Sequence, residues 1–305
     1  MFWHVSSART TCVPEQESPM ADIISSFSRS WRLIKASIAI LNSDGELLAL
    51  PLLSGAATFA VGGALVWQAN SDGTLDAMNG GAGLAGFRNY YLWLFAFYLV
   101  EYFIIIFFNT ALVGAAIDRL EGRDPTLRSA LRLAVRRIGP IFGYAVISAT
   151  VGLISRLLSE RLGIIGKIFG AGIGIAWTVA TFLVVPILAA DGIGPIEAIE
   201  KSAALLRKSW GENLIGNGGI SVIMGLLTVP AVLVIVAGVY LFNVNVTLAI
   251  PVVVIGGVSL LAVVLVGAAL SAIYSASVYY YAVNGEPPAG FDNDLIHGAF
   301  TPKGA

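Results

Sequence analysis

The sequence predicts an all-α polytopic membrane protein with six transmembrane helices, arranged as a threefold internal repeat of an interfacial helix plus a transmembrane hairpin. Three observations predict it. The 305 residues are 57% hydrophobic and 12% charged, with a mean hydropathy of +0.82. Soluble domains carry about 25% charged residues, because a wet surface needs them; half that share leaves hydrocarbon as the solvent. Long uncharged stretches then recur along the chain, and the basic residues cluster between alternate stretches.

A membrane helix needs about 20 mostly apolar residues to cross the roughly 30 Å hydrocarbon layer. Leu47 to Trp67 has that length without a charge, and Tyr90 to Ile117 has it with a single interruption, Glu101. Ile138 to Ser155 is shorter, and Ile168 to Ala190 is the fourth span. Leu214 to Phe242 and Leu248 to Val283 are uncharged and longer than one crossing requires, which fits tilt. Gly256-Gly257 is a bend candidate in the sixth.

Orientation follows from lysine and arginine, which are retained on the cytoplasmic side. With the N-terminus inside, fourteen basic residues fall on inner segments and four, Arg88, Arg156, Arg161 and Lys167, on outer ones. Both termini are therefore expected in the cytoplasm. Residues 1–19 read as a disordered tail preceding a natural start at Met20, residues 20–290 as the membrane domain, and 291–305 as a cytoplasmic tail.

The repeat is marked by turns. Each returning helix ends in Glu121-Gly122, Asp191-Gly192 or Asn284-Gly285, followed by Pro125, Pro195 or Pro288. Glycine after a helix accepts the left-handed cap, and proline suits the next first turn. Before each outward helix lies an amphipathic stretch: Ile23, Phe27, Trp31, Ile34 and Ile38; Leu127, Leu131, Ala134 and Ile138; Ile196, Ile199, Ala203, Leu206 and Trp210. Arg128, Arg132 and Arg136 form a stripe opposed to the second of these faces. These read as interfacial helices with their bases toward anionic headgroups; the alternative is surface helices packed on a partner or on each other. Two spans per unit keep all units in one orientation, against an inverted repeat of adjacent units.

The stretches Ser30-Trp31-Arg32-Leu33-Ile34-Lys35, Glu46-Leu47-Leu48-Ala49-Leu50-Pro51-Leu52-Leu53-Ser54-Gly55, Arg119-Leu120-Glu121-Gly122-Arg123-Asp124-Pro125-Thr126 and Trp210-Gly211-Glu212-Asn213 resemble an uncharacterised family of prokaryotic six-helix membrane proteins, classed only as a domain of unknown function. The resemblance covers roughly residues 20–290 and implies a fold but no activity. More loosely, the layout is similar to the membrane domain of some glycerophosphodiester phosphodiesterases, and brings no catalytic residue because the hydrolase domain is absent.

Glu101 is the residue that demands an account. An ionised carboxylate that deep costs several kcal/mol unless paired, wet or protonated. It is either a proton- or cation-handling site, with Asn109 on a neighbouring side of the helix, or a neutral carboxyl that fixes packing. Gly166, Gly170 and Gly174 repeat every four residues and suit close helix approach, within the chain or in a homo-oligomer. Trp67, Tyr90, Tyr91, Trp93 and Tyr279-Tyr280-Tyr281 read as interface anchors. Pro51, Pro186 and Pro230 fall inside spans and shape the bundle. Gly81-x-Gly83-x-x-Gly86 spells a dinucleotide fingerprint but sits in a Gly/Asn-rich outer loop, without the strand that the fold needs.

The lone cysteine, Cys12, and the two histidines, His4 and His297, lie in the tails. No cofactor, metal or nucleic acid is expected. With no serine elbow, HExxH helix or phosphate loop, the leading expectation is a non-enzymatic scaffold that organises lipid or partners at the cytoplasmic face. The alternative is a small permease or proton/cation-coupled transporter using Glu101.

Overall fold

A computed structural model describes residues 48–74, 83–161, 163–210 and 219–285. The tails, the stretch from Ile23 to Ile38, Gly81, the start of the expected fifth span at Leu214, and Pro288 lie outside the described residues. The described chain is helical: α1 Ala49–Ser71, α2 Gly83–Leu120, α3 Leu127–Arg136, α4 Ile138–Arg161, α5 Gly163–Ala180, α6 Val184–Ala190, α7 Pro195–Trp210, α8 Gly219–Leu241 and α9 Val246–Asn284. Among the described residues five stretches are long and apolar enough to cross a membrane: Ala49–Ser71, Arg88–Leu120, Ile138–Glu160, Gly170–Ala190 and Val246–Asn284. Gly225–Leu241, within α8, is a shorter apolar helix. This is a multi-pass, all-helical membrane protein.

Large apolar side chains cover its outside. Phe59, Trp67, Ile175, Leu226 and Tyr240 are each at least 65% exposed. Such a surface would be a liability in water and is the ordinary condition of a chain solvated by lipid tails. The core gathers around the C-terminal half of α2, where Ala111, Val113 and Ala116 are buried among Ile141 of α4, Ile187 of α6 and Ile273 of α9. α2 packs against α1, α3, α4, α6 and α9, so it is the central post of the bundle.

Three spans depart from the boundaries expected from hydropathy. α2 begins at Gly83, so Gly83 and Gly86 belong to a helix rather than an outer loop. α4 runs on to Arg161 instead of stopping at Ser155. Its added turn is held by an Arg156–Glu160 ion pair of 2.7 Å, one helical turn apart. The fourth span is not one helix. It breaks at Thr181–Leu183 between α5 and α6, where Pro186 lacks the amide that would continue the ladder and its ring crowds the carbonyl four residues back. Pro51, by contrast, stands in the first turn of α1, where the missing donor costs nothing, and Pro251 lies inside α9, which runs on through it.

The turns behave as their glycines require. Gly122, Gly192 and Gly285 have φ of +79°, +65° and +74°, a region closed to most side chains. Gly73, at the opposite end of the bundle, shares the conformation with φ +71°. Thr126 and Ser129 cap the start of α3 reciprocally, and the Asn245 side chain accepts from the amides of Thr247 and Leu248 at the start of α9.

Close helix approach is set by small residues. A Cβ on Gly256 would fall 2.9 Å from the Ile235 amide nitrogen, and one on Gly238 would fall 2.9 Å from that of Val253. The two glycines thus interlock α8 and α9, and α9 runs unbroken through Gly256-Gly257. Of the expected small-residue stripe, Gly170 is committed to α4, where a Cβ would fall 2.6 Å from Ser159 Oγ. Gly174 has open space, and the surroundings of Gly166 lie outside the described residues.

The two described helices that the sequence marks as amphipathic divide differently from expectation. In α3, Ala130 and Ala134 are buried, with Leu127, Leu131 and Leu133 packed against the core, and Arg128, Arg132 and Arg136 are exposed. Ile138 is 48% exposed and belongs to α4. In α7 the buried stripe is Ala198, Ser202 and Leu206, whereas Ile196 and Ala203 are exposed. Small residues win this face because α7 packs closely against α6 and supplies a hydroxyl there.

Candidate functional site

α1 and α2 form an antiparallel pair whose facing stripes can be read layer by layer. On α1 the stripe is Pro51, Gly55, Thr58 and Gly62; on α2 it is Leu112, Phe108 with Asn109, Ile105 and Glu101. Residues three, four, seven and eight apart share a helix face. Gly62 meets Glu101 directly: a Cβ there would lie 2.6 Å from Glu101 Oε1. The absence of a side chain at Gly62 is what makes room for the carboxyl.

Glu101 is 8% exposed, and neither of its carboxyl oxygens has a hydrogen-bond partner. Thr58, one turn from Gly62, faces the same carboxyl, yet its hydroxyl oxygen is also buried without a partner in bonding geometry. Nearly all buried polar atoms in native proteins are satisfied, so each exception calls for a reason. Thr58 and Glu101 place three such atoms in one layer of an apolar bundle.

Below that layer the groove opens into a cleft of about 400 Å³. α1 contributes Ser54, Gly55 and Thr58, α2 contributes Phe108 and Asn109, and α9 contributes Ser271 and Ser275. The α5–α6 break supplies Phe182 and Val185. The sequence pairing of Glu101 with Asn109 is thus brought onto one groove, Asn109 in the cleft and Glu101 a layer beyond its end. Ile105, between them, lines the cleft and lies about 6 Å along the helix from Glu101 at 1.5 Å per residue.

The break itself is held from outside. The Leu183 amide donates to Ser202 Oγ at 3.1 Å in a buried setting, while Val184 N–H turns back to the Thr181 carbonyl at 3.0 Å. Phe182 then packs on Tyr274 of α9, ring centroids 6.1 Å apart. Discontinuous helices beside a midplane cavity recur in transporters, where non-helical backbone is tolerated only when it lines a cavity or is buried in protein.

Charged groups gather at the two poles. At one, Arg156 of α4 donates to Tyr98 and Tyr90 hydroxyls at 3.3 and 3.2 Å, and Tyr91 donates to Glu160 at 2.9 Å. At the other, Lys201 pairs with Asp191 at 2.7 Å, Tyr279 donates to Asp191 at 3.0 Å, and Arg137 donates to the Ala190 carbonyl at 3.3 Å. Tyr90 and Tyr279 are therefore buried partners of charges rather than outward-facing anchors, while Trp67 is exposed as an anchor should be. Among the described residues no three His, Cys, Asp or Glu side chains converge as a metal site would need.

A sequence family of unknown function, DUF6159, matches residues 88–291, well over half of the chain. The chain belongs to this family. The DUF6159 match takes in Glu101, Asn109, the arginines of α3 and the broken helix, but begins after α1. Thr58 and Gly62, the α1 half of the acid layer, therefore lie outside it, and the match is narrower than the resemblance over residues 20–290. No curated protein matches the chain.

Sequence reasoning missed Thr58, Gly62 and Ser202. Thr58 and Gly62 lie inside an uncharged span, where a hydroxyl or a glycine is unremarkable. The signal that could have found them is their spacing of four, with Gly55 and Pro51 continuing the stripe. For Ser202 the sequence carries no local signal, because its partner amide belongs to another helix.

Proposed function

We propose that this membrane protein is a non-enzymatic small permease in which Glu101 handles a proton or cation. The observation that carries the reading is a mid-span carboxyl, buried, without a hydrogen-bond partner, and one layer from a cleft lined by hydroxyl and amide groups. A carboxyl retained only for packing would be expected to find a donor, since leaving it unsatisfied costs stability. The chain would cross six times, with α8 as the fifth crossing and both termini in the cytoplasm. Its three two-span units would be related by the repeat that the left-handed glycines at positions 122, 192 and 285 support.

The test is flux. The purified chain is reconstituted in liposomes holding a pH-sensitive dye, under a proton or alkali-cation gradient. Glu101-dependent flux, lost in Glu101→Gln with folding retained, is the expected result. Wild-type liposomes no leakier than protein-free ones, under every gradient applied, would sink the reading.

A second reading has its own observation. Arg128, Arg132 and Arg136 stand exposed along α3, at the pole where most described basic residues gather. A cationic stripe of this kind suits anionic headgroups at the cytoplasmic face, at about 1 kcal/mol per basic residue near the surface. A scaffold that holds anionic lipid or a partner there would show lipid retention that falls on replacing the three arginines with glutamine, and no flux.

A further inference from the structure

The volume and lining of the cleft say more than that a charge is handled. A bare metal cation would need several oxygens converging within a few ångströms. Here the oxygens are spread along the groove from Ser275 to Thr58, and the walls between them are Phe108, Phe182, Leu112 and Leu265. A space of about 400 Å³ falls in the range of small-molecule sites, roughly 300–1,000 Å³ and mostly apolar with a few placed polar groups. Among the described residues no lysine, arginine or histidine lines it, and α1 and α9 carry no Asp, Glu, Lys, Arg or His at all. Among the described residues the nearest charge along the groove is the carboxyl beyond Thr58.

We propose that the cleft binds an organic cation: an ammonium group directed to Thr58 and Glu101, with an apolar body against Phe108 and Phe182. This inference rests on the reading of Glu101 as a charge-handling group and names its ligand class. Charge complementarity selects the occupant. A cationic head gives the unpartnered carboxyl a counter-charge and the Thr58 hydroxyl a neighbour to solvate, while aromatic faces attract ammonium groups in their own right. The route in is lateral. Val264, Ala268 and Ser271 line the cleft along an exposed edge of α9, opposite α1, so a membrane-soluble cation reaches the site from the bilayer.

The experiment measures equilibrium binding of radiolabelled benzyltrimethylammonium to the full chain in detergent, with neopentylbenzene as the uncharged isostere in competition. Saturable binding is expected, with weak competition by the isostere. Affinity should fall roughly thirtyfold or more in Glu101→Gln, the scale on which losing one member of a buried charge pair is felt. Gly55→Leu is the second variant. A Cβ at Gly55 meets nothing within 4 Å, so the leucine fills the cleft without disturbing Glu101, and binding should vanish while thermal unfolding is retained. Equal competition by the isostere, indifference to Glu101→Gln, or no saturable binding would each overturn the inference, the first two leaving the cleft a slot for a lipid chain. The flux assay separates this from the broader reading. Glu101-dependent proton or alkali-cation flux that benzyltrimethylammonium neither binds to nor alters keeps the permease and removes the organic ligand. Binding without flux does the reverse.

Discussion

At the scale of single residues, the glycine turns separate two costs that are usually confounded. Gly122 and Gly192 share the left-handed conformation, with φ of +79° and +65°, but their surroundings differ. A Cβ on Gly122 meets nothing within 4 Å, whereas one on Gly192 would coincide with the Arg137 guanidinium, which itself donates to the Ala190 carbonyl. Gly122→Ala should therefore cost only the backbone penalty, about 1–2 kcal/mol. Gly192→Ala should cost that plus displacement of Arg137, a further 1 kcal/mol or so for the lost hydrogen bond. Thermal unfolding of both variants in detergent checks the order; equal losses would mean that Arg137 yields freely. The conformation at both turns was legible in sequence, because Gly at a helix end followed by Pro has a local cause. The Arg137 clamp was not, since it depends on a side chain some fifty positions away in the chain.

Elements show the same division between local and distant causes. Long apolar runs marked α1 and α9 within a few residues, and α2 and α4 with one end of each six or seven residues short, because crossing hydrocarbon is a property of the segment alone. The division of the fourth span into α5 and α6 escaped, although Pro186 was visible. What stabilises the break is Ser202, nineteen residues downstream of Leu183. Ser202→Ala leaves the buried Leu183 amide without its acceptor and should cost about 1–3 kcal/mol, read as a lower unfolding temperature. The same change at Ser129, which sits on the exposed start of α3, should cost about 1 kcal/mol or less. The α8–α9 hairpin gives a sharper pair. Gly256→Ala must push apart two backbones and should cost roughly 1–3 kcal/mol. Gly257→Ala, with nothing within 4 Å, should be neutral or gain up to about 1 kcal/mol from the helix propensity of alanine. If Gly257→Ala proves the more damaging, the interlock between α8 and α9 is misplaced. The sequence marked Gly256-Gly257 only as a bend; that one of the two is a contact and its neighbour is not depends on which face of α9 meets α8.

At the scale of the molecule, the contacts gather helix ends into two poles, and the charges sort with them. Lys201, Asp191, Tyr279 and Arg137 tie the ends of α6 and α9 to the starts of α4 and α7, and Arg119 and Arg123 join acidic partners just past α2. The opposite pole holds Arg156 with Glu160 and the tyrosines of α2. Basic residues stay where translocation does not have to carry them, so the arginine-rich pole should be cytoplasmic. Impermeant maleimide labelling of single cysteines in a Cys12→Ser background tests this at two exposed sites. Asp72→Cys, just past α1, should label in intact cells, and Arg128→Cys, on the exposed face of α3, only after permeabilisation. Neither position makes a contact that the fold needs, since Asp72 ends α1 in a turn and Arg128 stands exposed. The reversed pattern would invert the molecule and put the α3 arginines beyond reach of cytoplasmic anionic lipid. Glu101 would keep its depth in either orientation, but the cleft beneath it would then extend toward the outer leaflet, and any coupled flux through it would run from the opposite side.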